Sequence, residues 1–469
     1  MSADRPAVLL ITTDQLRRDT LGCYGGRAVA TPNLDRLAAT ALVHDRAHTA
    51  SPWCLPSRSS LITGCYPRTH GAHSNFRDRR LSPERPNLYS SLQQLGYRTT
   101  HVGKCHYAPV PYGATSPDAT LPYEEFHRYY RSLGIDQLDL QDDKQVSVWF
   151  RDDYAAELDA AGHLAAYRAS VWDREAAKVF TFPGPAEWHP DAWVGRRAVE
   201  RIQAAGEGPQ FFWVSISGPH FPFDPPAEYL DRVDVEAMGT PFVDETELDE
   251  TRMHWWSLHG APGRWIESGR NDRFDADYWH RLRLHYHANV ALIDDVVGDV
   301  LDAAEQRFGD DLVVAFTPDH GEMLGNHGIW GKGHCYWSDV LEVPLLLRAP
   351  GVAPGRTDRL VSLVDLYPTL LARAGGTVAE DQPLDGRDLL GPDAGHRLVH
   401  SEGEGFAVVT DGRYKLVDAQ AHGRDFVELF DLEQDPHEVR NRSGDPALAA
   451  VERDLQAALT RALLPAALP

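Results

Sequence analysis

The segment best suited to nucleophilic chemistry contains a cysteine, followed closely by a proline and an arginine. Residues 51–64 read SPWCLPSRSSLITG. Leu61 and Ile62 have the spacing of a buried helix face. Pro56 suits a first helical turn, because its missing N–H costs nothing there. Cys54 is therefore predicted at a helix N-terminus, where free backbone N–H groups and the helix dipole favour an anion.

Arg58 follows Cys54 by one helical turn and is predicted to point from the same end of the helix. The pair would form a nucleophile next to a cation, a combination suited to an anionic substrate. The alternative interpretation is a buried structural cysteine, since free cysteine is among the most buried residue types.

Acidic and imidazole side chains follow three apolar runs, each of which predicts a buried strand. If the strands are mostly parallel, these side chains meet at one edge of a sheet. Two carboxylates and an imidazole suit a divalent cation, although each residue alone is more simply an N-cap aspartate or a hydrogen-bonded histidine. The runs and the residues after them are 8–12 with Asp14, 210–217 with His220, and 311–316 with Asp319 and His320.

Lysine is rare in this chain, so the few lysines are informative. Only five of the 46 lysines and arginines are lysine. Lys104 stands in Gly-Lys-Cys-His106 and Lys332 in Gly-Lys-Gly-His. A lysine retained against such a bias is a candidate for a role that needs a compact ammonium group.

The bulk composition bounds the class of protein. A chain of 469 residues with 42% hydrophobic and 25% charged residues predicts a globular protein with a large core. The net charge of −23 argues against nucleic acid or an anionic membrane as a partner, so an anionic substrate would need a locally positive pocket. The short apolar run near the N-terminus, the lack of a membrane-length segment and the five cysteines predict a reduced, cytoplasmic protein.

The remaining pattern predicts an α/β fold with a smaller second domain. We expect a strand at 99–102 that delivers Lys104 and His106, and a helix whose N-cap is Thr31. Irregular, aromatic-rich inserts are expected at about 109–195 and 240–275, over a sheet edge. Short alternating runs after residue 375 predict an antiparallel sheet, covered by a helix from about residue 446 to 464. Helices are also predicted at 31–39, 88–95, 192–205, 282–301 and 364–374.

Several motifs together resemble the type I sulfatases of the alkaline-phosphatase superfamily. The spacing of Cys54-x-Pro-Ser-Arg58, followed by Leu-x-Thr-Gly, is similar to the family signature. Asp14-Gln15 and the segment from Thr317 resemble its metal motifs, and Gly-Arg-Tyr-Lys415-Leu its C-terminal part. The resemblance spans nearly the whole chain. It implies a large, mostly parallel sheet sandwiched by helices at 1–375 and a C-terminal subdomain at 376–469.

The resemblance also implies a mechanism. A separate maturase would oxidise Cys54 to formylglycine (3-oxoalanine), whose hydrate attacks a sulfate monoester and then expels sulfate. Arg58, Lys104 and Lys332 would neutralise the sulfuryl oxygens, His220 or Lys332 would protonate the alcohol, and His106 would help to deprotonate the second hydroxyl. Asn75 is a weaker candidate contact. The implied metal is Ca²⁺, with Mn²⁺ or Mg²⁺ left open, and its ligands are Asp14, Gln15, Cys54, Asp319 and His320.

Two other functions stay open on the same residues. The Asp-Gln and Asp-His metal pairs are similar to those of choline-sulfatase and phosphonate monoester hydrolase relatives, so a phosphonate monoester or phosphodiester hydrolase is the enzymatic alternative. A non-catalytic binding protein with an unmodified Cys54 is the other. Substrates would be small-molecule or saccharide sulfate esters, with a homo-oligomer possible. The acidic run 136–143 could cage a cation such as choline, but a solvated acidic face is the simpler interpretation.

Overall fold

A computed structural model describes residues 5–76, 79–109, 121–172, 179–244, 267–268, 275–332, 335–421 and 424–464. Its centre is an eight-stranded sheet, accompanied by helices and a separate four-stranded antiparallel sheet near the C-terminus. This confirms the predicted fold class. The described strands are β1 Ala7–Asp14, β2 Leu42–His48, β3 Arg98–Gly103, β4 Leu121–Pro122, β5 Gln137–Leu140, β6 Phe150–Arg151, β7 Gln210–Pro219, β8 Glu267–Ser268, β9 Leu312–Pro318, β10 Ile329–Trp330, β11 Glu342–Arg348, β12 Gly355–Ser362, β13 Val399–Gly403, β14 Phe406–Thr410, β15 Tyr414–Ala421 and β16 Arg424–Asp431.

The helices pack on the central sheet in two groups. Helix α12 contacts both α1 and α9, and these helices pack on the middle strands, whereas α2, α4 and α14 form a second group next to β3. The described α-helices are α1 Pro32–Thr40, α2 Cys54–Thr63, α3 Pro67–His70, α4 Leu88–Gln94, α5 Glu124–Ser132, α6 Val146–Trp149, α7 Asp153–Ala160, α8 Leu164–Trp172, α9 Pro190–Gln203, α10 Ala227–Leu230, α11 Val235–Met238, α12 Ala276–Phe308, α13 Ser338–Leu341, α14 Leu366–Arg373 and α15 Ala449–Leu463.

The strand order explains how distant residues reach one edge. The central sheet has the order β12-β2-β11-β9-β1-β7-β3-β5, and every strand except β11 runs in the same direction. Strands β1, β7 and β9 are buried along their full length, as their apolar runs predict. The carboxyl ends of β9, β1, β7, β3 and β5 therefore lie side by side.

The predicted helices and buried strands are present, with ends shifted by a few residues. The long helix is longer than predicted, at Ala276–Phe308, and a short 3₁₀ turn at Leu363–Asp365 precedes α14. Strands β2, β5, β11, β12 and β13 were not predicted. Strand β2 reads LVHDRAH, in which charged residues interrupt the apolar pattern although the strand is internal to the sheet.

The prediction for Thr31 was wrong in one respect. Thr31 occupies the N-cap position of α1, but its side chain makes no capping hydrogen bond and instead accepts one from the Gly22 N–H at 2.9 Å. Asp294 of α12 accepts hydrogen bonds from the N–H groups of Asn33 and Leu34, at 3.1 and 2.9 Å. A carboxylate from a neighbouring helix thus satisfies the first turn of α1.

The region from 109 to 195 is more than a covering insert. Its strand β5 is the edge strand of the central sheet and pairs in parallel with β3. The acidic run was expected to form a solvated face, and that was wrong for Asp139, Asp142 and Asp143, which are buried. Tyr112, Lys178, Trp255, Trp256 and Trp265, together with most of 240–275, lie outside the described residues.

The C-terminal sheet has the predicted antiparallel pattern. Strands β13 to β16 pair in chain order, and helix α15 packs on β14 and β15. The division of the chain at residues 375 and 376 stays a prediction. Among the described residues, no helix combines the length and apolar character that crossing a bilayer requires.

Candidate active site

Helix α2 begins at Cys54, as predicted, and its first turn is fastened to the end of β9. Hydroxyl groups of Thr49 and Ser57 both donate to the backbone carbonyl of Asp319, at 2.6 Å each. The N–H of Leu55 is not free, since it donates to Oδ1 of Asn75 at 3.0 Å. Asn75 thereby satisfies one of the exposed donors of the helix N-terminus.

The Cys54 thiol lies among the charged groups that the sequence singled out. Its Sγ is 3.1 Å from Lys332 Nζ, 3.3 Å from His320 Nε2 and 3.8 Å from Asp14 Oδ1. Burial and Asp14 raise the pKa of this thiol, but Lys104, Lys332 and His320 outweigh them and lower it to about 6. The sulfur atom is thus held in a positive environment next to acidic side chains.

Arg58 binds the two carboxylates rather than projecting into open space. Its Nε donates to Asp319 Oδ2 at 2.8 Å and its Nη2 to Asp14 Oδ2 at 3.3 Å. Its Nη1 donates to Ser215 Oγ at 2.7 Å and to the Lys104 carbonyl at 3.1 Å. The guanidinium group is 1% exposed and ties together the ends of β1, β3, β7 and β9. Its geometry suits the orientation of the carboxylates.

The donor set around Cys54 fits a divalent cation. Asp14, Cys54, Asp319 and His320 each offer a ligand atom, and these atoms lie within 4.8 Å of one another. The Nδ1–H of His320 donates to the Gly321 carbonyl at 2.9 Å, which directs Nε2 toward the cluster, as in many histidine ligands of metals. Buried Oε1 of Gln15 has no hydrogen-bond partner among the described residues. An amide oxygen of this kind is a suitable fifth ligand.

Gln15 is held from both sides. Its backbone has a positive φ of 66°, and its N–H donates to Asp319 Oδ1 at 3.2 Å. Its side-chain Nε2 donates to Glu322, which also accepts from the N–H groups of Leu324 and Gly331. Glu322 was not singled out in the sequence. Its hydrogen bond fixes the amide of Gln15, and Oε1 is then the amide atom without a hydrogen-bond partner among the described residues.

Lys104 joins Asp14 to a carboxylate that the sequence did not single out. Its Nζ lies 2.7 Å from Asp14 Oδ2 and 2.6 Å from Asp143 Oδ2, and all three side chains are buried. Burial disfavours the ammonium group, but the two carboxylates raise the pKa of Lys104 well above its ordinary value. Burial likewise raises the pKa of Asp143, and Lys104 reverses this and lowers it.

His106 is oriented by the residue before Asp143. Asp142 Oδ1 accepts from the N–H groups of Cys105 and His106, at 2.9 Å each, and His106 has a φ of 50°. Neither ring nitrogen of His106 has a partner among the described residues, although the side chain is buried. Burial and Lys104 lower the pKa of His106 to about 3, so the free protein carries a neutral imidazole there.

His220 reaches the same edge from β7. Its Nε2 lies 3.9 Å from Asp143 Oδ2, while its Nδ1 is bonded to the Phe221 carbonyl. Burial and Lys332 lower the pKa of His220 well below its ordinary value. The structure thus brings together all the predicted site residues, with Asn75 at the helix N-terminus. The sequence marked Asp142 and Asp143 only as part of an acidic run, because the strand that positions them was not predicted.

The chain is similar to known proteins over nearly its whole length. The Sulfatase family model matches residues 6–376. An uncharacterized sulfatase of Escherichia coli is 28% identical over 474 residues, covering 97% of this chain and 86% of the relative. An arylsulfatase of Clostridium perfringens is 26% identical over 458 residues, covering 93% and 90%.

A solved structure has the same fold. The phosphonate monoester hydrolase from Silicibacter pomeroyi superposes with a TM-score of 0.78 at 23% identity, covering 98% of this chain and 95% of that one. At this identity the similarity establishes the shared architecture, and the chemistry has to be argued from the side chains.

Proposed function

This chain belongs to the sulfatase family, and from that premise we propose that it hydrolyses sulfate monoesters through a formylglycine at position 54. The products are an alcohol and inorganic sulfate. One observation carries the proposal: the thiol of Cys54, at a helix N-terminus, lies 3.1 Å from Lys332 and 3.3 Å from His320, within a four-residue donor cluster. The proposal extends to a maturase that modifies Cys54 at the sequence Cys-x-Pro-x-Arg.

Each proposed group has a distinct part in the chemistry. A hydrated aldehyde at position 54 supplies two hydroxyls, of which one displaces the alcohol from sulfur and the other expels sulfate as the aldehyde re-forms. A bound divalent cation supplies Lewis-acid activation. We propose Ca²⁺, with Mn²⁺ and Mg²⁺ as alternatives, held by Asp14, Asp319, His320, residue 54 and Gln15.

Lysine side chains would bind the negatively charged ester, and neighbouring side chains support them. Lys332 Nζ contacts the side chain of residue 54, and Lys104 Nζ contacts the carboxylate of Asp14. Both ammonium groups can therefore bind sulfuryl oxygens. Arg58 holds Asp14 and Asp319 in place. His106, whose ring nitrogens are unpartnered among the described residues, is the proposed base for the second hydroxyl.

The principal test compares two monoanionic esters with the protein co-expressed with a maturase. We expect kcat/KM for an aryl sulfate to exceed that for an aryl phosphonate monoester by at least about tenfold, because Lys104 and His106 provide a further cation and base near the sulfuryl group. The peptide mass across residue 54 is measured on the same sample. A preference for the phosphonate would favour the alternative hydrolase. An unmodified Cys54 after co-expression, together with no turnover of either ester, would favour a non-catalytic binding protein.

A second prediction identifies the group that protonates the leaving alcohol, for which His220 and Lys332 are both candidates. A nitrophenolate leaves without a proton, whereas an alkoxide needs one. We expect replacement of the true donor to lower kcat on an alkyl sulfate by about 10²-fold, and its kcat on nitrophenyl sulfate by less than about tenfold. The measurement compares His220→Asn with Lys332→Met on both esters. Equal losses on the two esters in both variants would show that neither residue is the donor.

The phosphonate alternative has one observation in its favour. Gln15 and His320 leave the proposed ligand set with fewer carboxylates than a fully acidic set would have. The natural substrate would be sought by measuring the hydrolysis of saccharide, aryl and choline sulfates. The predicted cytoplasmic location and homo-oligomer stay predictions.

A further inference from the structure

Asp143 is a buried carboxylate in a pocket that is proposed to bind an anion. It is 1% exposed, and its Oδ2 lies 2.6 Å from Lys104 Nζ and 3.9 Å from His220 Nε2. Its Oδ1 accepts from the Gln145 N–H at 2.8 Å. The carboxylate thus faces the two groups that would meet the ester, although it belongs to neither the helix of Cys54 nor the metal cluster.

The backbone at Asp143 is strained, which shows that the surrounding structure forces this placement. Its φ is 144°, a value that residues with a side chain rarely adopt. Such conformations persist where packing and hydrogen bonds determine the position, and they concentrate at functional sites. Here the segment after β5 is held by Asp142, which binds two backbone N–H groups and the hydroxyls of Tyr123 and Tyr130.

Asp143 lowers the net charge of the pocket by one unit, with or without the proposed divalent cation. The buried ion-pair network at the sheet edge contains three cations and, with Asp143, three carboxylates, so the fixed charges of these groups cancel. Without Asp143 the same network would carry one net positive charge. Its members are Arg58, Lys104, Lys332, Asp14, Asp319 and Asp143.

We propose that Asp143 is a specificity-determining residue that restricts the pocket to tetrahedral esters with a single negative charge. Sulfate monoesters and phosphonate monoesters belong to this class, whereas phosphate monoesters carry two charges at neutral pH. This inference rests on the proposed ester hydrolysis and adds the charge class of the substrate. Phosphate monoesters would bind less well because the Asp143 carboxylate repels their second negative charge.

The expected size of the effect follows from Coulomb's law. At an effective dielectric constant of about 20 and a separation of roughly 8 Å, one additional unit charge changes relative affinity by about tenfold to fiftyfold. Asp143 and the ester would both contact Lys104, so a separation of that order is reasonable. Lys104 would stay in place without the Asp143 charge, since Asp14 also binds it at 2.7 Å.

The test is Asp143→Asn, because the asparagine keeps the shape of the side chain and one acceptor oxygen while the charge is removed. The probes are nitrophenyl sulfate, the nitrophenyl ester of phenylphosphonate, and nitrophenyl phosphate at a pH where it is a dianion. We expect the ratio of kcat/KM for the phosphate to that for the sulfate to rise by at least about tenfold. The ratio between the two monoanions should change by less than about threefold.

Asp139→Asn is the matched control. Asp139 lies on β5, four residues before Asp143, and its carboxylate pairs with Arg197 and Arg201 instead of Lys104. We expect its three kcat/KM ratios to match those of the wild type. If Asp143→Asn lowers turnover of all three probes alike, Asp143 only positions Lys104 and the proposal is wrong. If the wild type turns over none of them, the failure lies in the proposed function.

Discussion

Replacing Cys54 by serine is expected to lower kcat for aryl sulfates by at least about 10³-fold. A serine hydroxyl can accept a sulfuryl group, but it lacks the second hydroxyl that would expel sulfate, so the enzyme would stop as a stable ester. The variant should remain folded, because the side chains differ little in size and the helix contacts of Thr49, Ser57 and Asn75 do not involve the sulfur atom. Turnover and intact mass are measured after incubation with substrate.

Cys65→Ser is the matched control for this experiment. Cys65 is also buried and follows the same helix, but its Sγ donates to the Pro383 carbonyl at 3.1 Å, away from the charged cluster. We expect it to retain activity within a few-fold of the wild type. Activity of Cys54→Ser within about tenfold of the wild type would contradict the formylglycine mechanism.

Replacing Asp14 by asparagine is expected to weaken binding of the divalent cation by at least about 10²-fold and to abolish most turnover. Asp14 contributes one of the two carboxylates in the cluster, and its oxygens also contact Lys104, Lys332 and Arg58. The neutral amide would remove a ligand charge and leave three cations with less compensation. Lost turnover alone would not separate these two effects, so cation binding is measured directly.

The direct measurement is the rise in Tm on adding Ca²⁺, Mn²⁺ or Mg²⁺ to chelator-treated protein. A cation at 100 times its Kd stabilises the folded state by about 2.7 kcal/mol. We expect this rise for the wild type and little or none for Asp14→Asn at the same concentration. Asp45→Asn, which alters a partly exposed ion pair with Arg356, should keep the full rise. A full rise in Asp14→Asn would remove Asp14 from the ligand set.

Much of the candidate site was readable from local sequence. Cys54, Pro56 and Arg58 predict the beginning of a helix, and the structure begins α2 at Cys54. The buried strands β1, β7 and β9 were predicted because fully buried parallel strands are continuously apolar, a property that needs no tertiary information. Their parallel direction then implied that Asp14, His220 and Asp319 would meet.

Two of the missed strands, β2 and β5, share a physical cause. Strand β2 contains His44, Asp45 and Arg46, so its apolar pattern is broken even though it lies inside the sheet. Strand β5 has four residues, too few for a periodic signal, and it was concealed in a region expected to be an insert. Local hydrophobicity does not report such strands, because neighbouring strands and ion pairs determine their placement.

By itself the sequence determined which side chains could perform the chemistry, since their types and spacing are local properties. Only the tertiary structure decided what each charge contacts. It directed Arg58 to the carboxylates, oriented Gln15 through Glu322, and brought Asp143 to Lys104 from the neighbouring edge strand β5. Ion pairs between residues distant in sequence depend on strand order and backbone conformation, and neither property is contained in the local pattern of residues.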